Sequence, residues 1–224
     1  PRSTLFPYTT PFRSASEMRD SSGYSVPHTA DRLDLIYTLS AKNDIKSHRI
    51  EAYVQDTYKF SQGENYFTLN YGVRLSNWSF NKETIVSPRA SIALVPAFNH
   101  DYTFRLATGL YYQAPFYKEM RDTVTQNGMT TAILNEKIKS QRSLQFIAAM
   151  DYRFKMLDRP FRFTAEVYYK ALSNLIPYNV QNVKVTYYGE NLASGYTAGL
   201  DLKLFGEFVP GTDSWLTFSL MKAH

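Results

Sequence analysis

From Tyr102 to Tyr112 the chain reads YTFRLATGLYY, and its residues alternate in kind. Tyr102, Phe104, Leu106, Thr108, Leu110 and Tyr112 fall on one parity; Thr103, Arg105, Ala107, Gly109 and Tyr111 fall on the other. A period of two residues belongs to a strand, whose side chains point alternately to opposite faces, and not to a helix. The same period returns along most of the chain, with small or polar residues on one parity and Leu, Ile, Val, Phe or Tyr on the other. A wet face repeated beside a greasy face predicts an all-β fold, an antiparallel transmembrane β-barrel.

Bulk composition neither supports nor opposes this reading, because 44% hydrophobic and 20% charged residues suit an ordinary water-soluble domain equally well. No apolar run is long enough for a spanning helix, but a barrel strand shows only every second residue to lipid and escapes a hydropathy scan. The aromatic content is more telling: 18 Tyr and 15 Phe suit the headgroup level at the two rims of a barrel. Lys and Arg exceed Asp and Glu by a net charge of +5 but are spread along the strands, which argues against nucleic acid as a partner. The absence of Cys excludes disulfides and thiolate metal sites.

Nine strands are expected, at Arg32 to Lys42, Arg49 to Phe60, Tyr66 to Phe80, Ser87 to Val95, Tyr102 to Gln113, Ser140 to Phe154, Phe161 to Leu172, Tyr196 to Phe208 and Trp215 to Met221. Turns rich in Gly, Pro, Asn or Asp stand at Ser61 to Glu64, Pro96 to Asp101, Lys155 to Pro160 and Val209 to Asp213. Between them fall Asn81 to Val86, Ala114 to Lys139 and Ser173 to Gly195, two of them long. Short turns alternating with longer loops are the pattern of a barrel with periplasmic turns and outer loops.

Charge cost sorts the two faces. An Arg or Lys against lipid near the midplane costs about 2–4 kcal/mol, so the parity holding Arg74, Arg105, Arg153, Glu166, Asp201 and Lys203 is expected to line the lumen. Leu69, Val73, Leu75, Phe146, Ala148, Met150, Ala198, Leu200 and Leu202 then face lipid. Asp56 breaks the rule, sharing its parity with Ile50, Val54, Tyr58 and Phe60, and a local bulge or an interfacial depth is expected there. Nine strands are too few and too odd for a barrel with a plugged lumen, which takes about 22. The expectation is therefore a partial barrel, cut at both ends, with its plug absent.

Residues 1–14, PRSTLFPYTTPFRS, lack the apolar stretch of a signal peptide and resemble the in-frame translation of a sequencing adapter. They are read as a non-native leader, residues 15–31 as a linker or turn, and residues 32–224 as the barrel. A natural reading frame upstream of Ala15 that still encodes these residues would exclude that origin.

SPRASIALVP from Ser87 to Pro96, followed by YTFRLATGLYYQAPFYKEM with YQAP at Tyr112 to Pro115, resembles the barrel of TonB-dependent outer-membrane receptors. AYVQDTYKF (Ala52 to Phe60), NYGVRLSNWSF (Asn70 to Phe80), KSQRSLQFIAAMDYRF (Lys139 to Phe154), FTAEVYYKALSNLIPY (Phe163 to Tyr178) and YYGENLASGYTAGLDLKL (Tyr187 to Leu204) are similar to the branch found in Bacteroidetes-type bacteria. The resemblance implies the outer membrane of a Gram-negative bacterium, lipid around the barrel, a TonB-type energising complex, and a surface lipoprotein as a candidate partner. It also implies import of a bulky nutrient such as an iron chelate, cobalamin or a glycan. Neither a plug nor the short box that contacts the energising protein is recognisable, so this stretch alone is not expected to transport. The rival reading is a non-transporting envelope barrel or a soluble β-rich binding module.

Ligand contacts are expected in the outer loops. One group is Tyr117, Lys118, Arg121 and Asp122 in PFYKEMRD, which mixes aromatic and charged groups suited to a sugar or a chelate. The other is Tyr188 and Asn191 in YYGEN. A loop that merely packs over the barrel, and a strand bulge around Gly189, are the structural alternatives. No enzyme is expected: His28, His48, His100 and His224 are scattered, no Ser sits in a GxSxG elbow, no HExxH offers a metal site, and Gly109, Gly189, Gly195 and Gly199 form no phosphate loop. No cofactor is called for.

Overall fold

A computed structural model describes residues 4–10, 13–14, 22–29, 32–39, 45–126, 129–181 and 184–224. Its strands, in chain order, are β1 (Thr4–Thr10), β2 (Arg13–Ser14), β3 (Ser22–Thr29), β4 (Arg32–Leu39), β5 (Ile45–Lys46), β6 (Arg49–Gln62), β7 (Asn65–Trp78), β8 (Glu83–Val95) and β9 (Tyr102–Gln113). They continue as β10 (Arg121–Gln126), β11 (Met129–Leu134), β12 (Gln141–Met156), β13 (Arg159–Leu175), β14 (Tyr178–Gln181), β15 (Lys184–Tyr187), β16 (Ala193–Val209) and β17 (Thr212–Ala223). One antiparallel sheet runs in the order β1-β6-β7-β8-β9-β12-β13-β16-β17 and stays open at β1 and β17. It has nine strands, the number expected of the partial barrel, and eight of them are expected ones.

Its membership differs at one place. Arg32–Leu39 pairs with Ser22–Thr29 as a hairpin outside the main sheet, and Thr4–Thr10 lies beside β6 instead. Because Thr10 is registered with Arg49, the whole connection between β1 and β6 springs from the long-loop end of the sheet. A hairpin within such a loop alternates as a barrel stave does, so period alone does not separate the two. Residues 15–21 and 30–31 of the expected linker, and 40–42 of the first expected strand, lie outside the described residues. The connections 114–140 and 176–192 likewise carry hairpins of their own, β10–β11 and β14–β15.

Within the main sheet the two-residue turns gather at the opposite end. Gln62 pairs with Asn65, Met156 with Arg159 and Val209 with Thr212, each across two residues. Leu157 and Asp158 both have positive φ, 56° and 58°. That is the type I′ geometry whose twist matches paired strands.

Register makes the two faces explicit. Tyr58, Leu69, Ile92, Leu106, Ala148, Val167, Leu200 and Leu220 are partners in turn from β6 to β17, an apolar row crossing eight strands without a polar residue. Phe60, Phe67, Leu94, Phe104, Met150, Ala165, Leu202 and Phe218 form a second such row. No described residue covers them: Leu106 is 58% exposed and Val167 50%. Nearer the short turns, rings stack along the same face, Tyr102 on Tyr152 at 4.3 Å, Tyr152 on Phe154 at 5.2 Å and Phe154 on Phe161 at 5.8 Å. Tyr169 and Tyr196, 5.9 Å apart, mark the other margin of that face. From Tyr152 to Leu144, which shares a row with Tyr196, the strand runs about 26 Å at ~3.3 Å per residue, close to the apolar band of an outer-membrane barrel.

Arg74, Arg105, Arg153, Glu166, Asp201 and Lys203 share the opposite, polar face through the same register. There Arg105 pairs with Asp151 at 3.0 Å, and Asp151 accepts the Thr164 hydroxyl at 2.7 Å. Asp56 is indeed on the apolar face, but no bulge puts it there, because β6 and β7 pair without a shift from Arg49 to Gln62. It faces Tyr71 directly, and the Tyr71 hydroxyl donates to its carboxylate at 3.2 Å. A cross-strand hydrogen bond supplies what the expected bulge would have avoided.

The hydrophobic core of the described residues lies at the long-loop end. Ile45, Met120, Ile138 and Ile176 are buried there against Trp78, Phe80, Tyr117, Leu134 and Tyr187. These residues come from loops and strand ends, so the apolar interior seals the loops to one another and leaves the sheet faces bare.

Candidate functional site

The loop cluster is tied by side chains that reach distant backbone. Asn191 accepts from the Lys139 N–H at 2.7 Å and donates to the carbonyls of Lys139 at 2.9 Å and Asn174 at 2.7 Å. Asn135 donates to the Gly189 carbonyl at 2.8 Å. Asn81 donates to the Ile138 carbonyl at 2.8 Å, and Glu83 accepts both the N–H and the hydroxyl of Ser140, at 3.0 and 2.6 Å. Ser140 and Ile138 are each only 1% exposed. Every one of these ties joins segments far apart in sequence, which makes the loops a single platform.

The two sequence-expected groups come together in this platform. Gly189, with φ of 71°, packs its backbone against the carbonyl of Arg121, so YYGEN and PFYKEMRD touch through their main chains. Tyr117 packs on the buried cluster, and its hydroxyl is buried with no hydrogen-bond partner among the described residues. Arg121 and Asp122 are half-buried, whereas Lys118 and Tyr188 are exposed. Glu119 is buried and accepts the Phe116 N–H at 2.7 Å, closing the turn that carries Tyr117 and Lys118.

Below the platform, the polar face of β6–β9 holds a groove that the sequence reading did not single out. A cavity of about 870 Å³ is lined by Glu51, Tyr53, Gln55, Asn70, Arg74 and Arg89, among others. A second, of about 220 Å³, adds Arg49 and Trp78 and reaches Ala114 and Ser140 at the loop bases. Glu51, Arg74, Ser87 and Arg89 border both, so the two form one passage from loop end to mid-sheet. Arg74 is ion-paired with Glu51, which also accepts the Ser76 hydroxyl at 3.3 Å. Parity alone carried the signal for Arg89, since it falls on the same face as Arg74 and Arg105.

An antiparallel meander with eight-strand apolar rows on one face and charged residues on the other narrows the choice to a membrane barrel. The model of the family described as TonB dependent receptor-like, beta-barrel, matches residues 4–222. The chain belongs to that family. No curated protein matches it by sequence.

Membership of the family implies the outer membrane of a Gram-negative bacterium. The family is one of outer-membrane receptors and transporters that work with a TonB complex, and its members are not enzymes.

Proposed function

We propose that this receptor barrel captures a bulky nutrient, an iron chelate, cobalamin or a glycan, at its loop platform and passes it down the groove of β6–β9. The observation that supports this reading is the continuity of the groove with the loop bases at Ala114 and Ser140. Within the platform the work divides. Tyr117 and Asn191 hold the loops in place through packing and hydrogen bonds, while the exposed Lys118 and Tyr188, with Arg121 and Asp122 beside them, meet the solute. Arg105, Arg153, Glu166, Asp201 and Lys203 keep the rest of the lumen wall wet. A surface lipoprotein that closes over the mouth would dock on the same platform.

A strain lacking the gene, grown with iron, cobalamin or a glycan each as the limiting supply, tests the reading. Loss of growth on one supply assigns the class of cargo; unimpaired growth on all of them overturns nutrient import. Lys118→Ala and Tyr188→Ala should then weaken binding of that cargo to the purified receptor without altering the mobility of the folded barrel on gels.

A further inference from the structure

Arg89 occupies an unusual place on the sheet. Its registered neighbours are Gly72 on β7 and Gly109 on β9, and beyond them stand Gln55 and Gln145 in the same lateral row. The arginine stem passes beside Gly109, where no Cβ stands in its way, and its guanidinium is 4.4 Å from the centre of the Tyr111 ring. The glycine at 109 is needed for that arrangement, since a Cβ there would sit 3.0 Å from the Arg89 Cγ and 3.1 Å from a Tyr111 ring carbon. Arg49 repeats the motif nearer the mouth, 4.8 Å over Trp78.

Stacking uses the faces of a guanidinium and leaves its in-plane N–H donors available. Among the described residues the guanidinium groups of Arg49 and Arg89 have no hydrogen-bond or ion-pair partner, only their rings. Three arginines thus border the passage with one ion-paired carboxylate, Glu51, facing them. Asp56 also borders the larger cavity, but it belongs to the apolar face and is held there by Tyr71. The wall therefore carries an excess of positive charge, together with neutral donors from Ser87, Ser91 and Asn70.

We infer that this wall is an anion subsite, in which Arg89 and Arg49, assisted by Arg74, take a carboxylate, phosphate or sulfate group carried by the imported solute. The inference rests on the receptor reading and narrows its cargo to an anionic one. A planar guanidinium with two free donors matches an oxyanion bidentately. Positive charge set below the mouth also draws an anion inward, an effect that salt weakens. The solute is the source of the anion because the passage opens at the loop bases, where a solute arrives.

Calorimetric titration of the whole protein in detergent micelles, with citrate as anionic probe and an uncharged oligosaccharide as control, tests it. Citrate should bind, its affinity falling as salt rises; Arg89→Met should weaken it by about tenfold or more, with Arg89→Lys between the two. Gly109→Ala should weaken it as well, by displacing the Arg89 stem from Tyr111. Binding of the oligosaccharide should be the same in all variants. Failure of citrate to bind at millimolar concentration, or equal citrate affinity in the Arg89→Met and native proteins, overturns the subsite. If citrate fails while the oligosaccharide binds, the receptor reading stands and only the anion subsite falls. Unimpaired growth on every supply would remove the receptor reading independently.

Discussion

Asn191 and Lys139, fifty-two positions apart, are joined by a reciprocal pair of hydrogen bonds, the asparagine amide accepting from the Lys139 N–H at 2.7 Å and donating to its carbonyl at 2.9 Å. The same amide reaches the Asn174 carbonyl at 2.7 Å, at the point where the Leu172–Leu175 register shifts. One side chain thus fastens the ends of two outer loops to a strand end.

Replacing Asn191 by Ala should therefore release both loops. Leaving these backbone groups without partners costs about 1–3 kcal/mol, expressed as local opening. Hydrogen exchange at the Lys139 amide should speed up by roughly tenfold or more, with the sheet amides of β12 and β13 unchanged. Uniform acceleration across the sheet would contradict a local tie.

Glu83 and Ser140 make a second tie that should behave independently. Glu83→Gln keeps the shape and removes the charge from the bonds at 2.6 and 3.0 Å, so about 1 kcal/mol of loop stability is expected to go. Limited proteolysis of the 114–140 connection reads it directly: the variant should be cut faster, and an unchanged rate would show that Ser140 is held by packing alone.

The two faces of β9 should respond oppositely to charge. Leu106→Arg places a guanidinium in the apolar row and should cost about 2–4 kcal/mol of folding stability in liposomes, whereas Ala107→Arg, one position on, should cost far less. Equal effects would mean that the face assignment is wrong.

Asp56 offers the converse test. Its carboxylate stands on the apolar face with the Tyr71 hydroxyl at 3.2 Å, so Tyr71→Phe should destabilise the barrel in lipid, while Asp56→Asn should be neutral or stabilising. Chemical unfolding in lipid vesicles measures both. Destabilisation by Asp56→Asn alone would point to a role for the charge itself.

At the short-turn end, Leu157 holds φ of 56° with its side chain 70% exposed, a conformation that a non-glycine L-residue adopts at a cost. Leu157→Asn should stabilise the Met156–Arg159 hairpin by about 1 kcal/mol, seen as a higher unfolding midpoint. A lower midpoint would indicate that the exposed leucine packs in the membrane interface.

Much of the sheet could be read directly from the residues, because a two-residue period is a local property. Tyr102–Gln113 carries its own proof of strand, and Arg105 its own proof of face. What could not be read was pairing over distance. Arg32–Leu39 alternates as well as β9 does, yet it is a loop hairpin, and only the partner of Thr10 reveals on which side of Arg49 the chain folds back. The loops were harder still. Tyr117 and Lys118 are adjacent and were indistinguishable as letters, but one is drawn into the buried cluster around Met120 and Ile138 while the other points to water. Arg89 was legible in principle by parity; its significance came from Gly109, on a different strand.

The burial of Ile45, Met120, Ile138 and Ile176 under the loops, away from the membrane-facing rows, separates the molecule into two parts held together by different solvents. The loop cluster is maintained by exclusion of water, so urea should dissolve it in proportion to the surface it exposes. The sheet is maintained by the amphiphile around it and answers to detergent chain length and bilayer thickness. Denaturation followed at Trp78, which packs on the cluster, and at Trp215 on β17 should accordingly give two midpoints that move separately, so no single melting temperature describes this barrel.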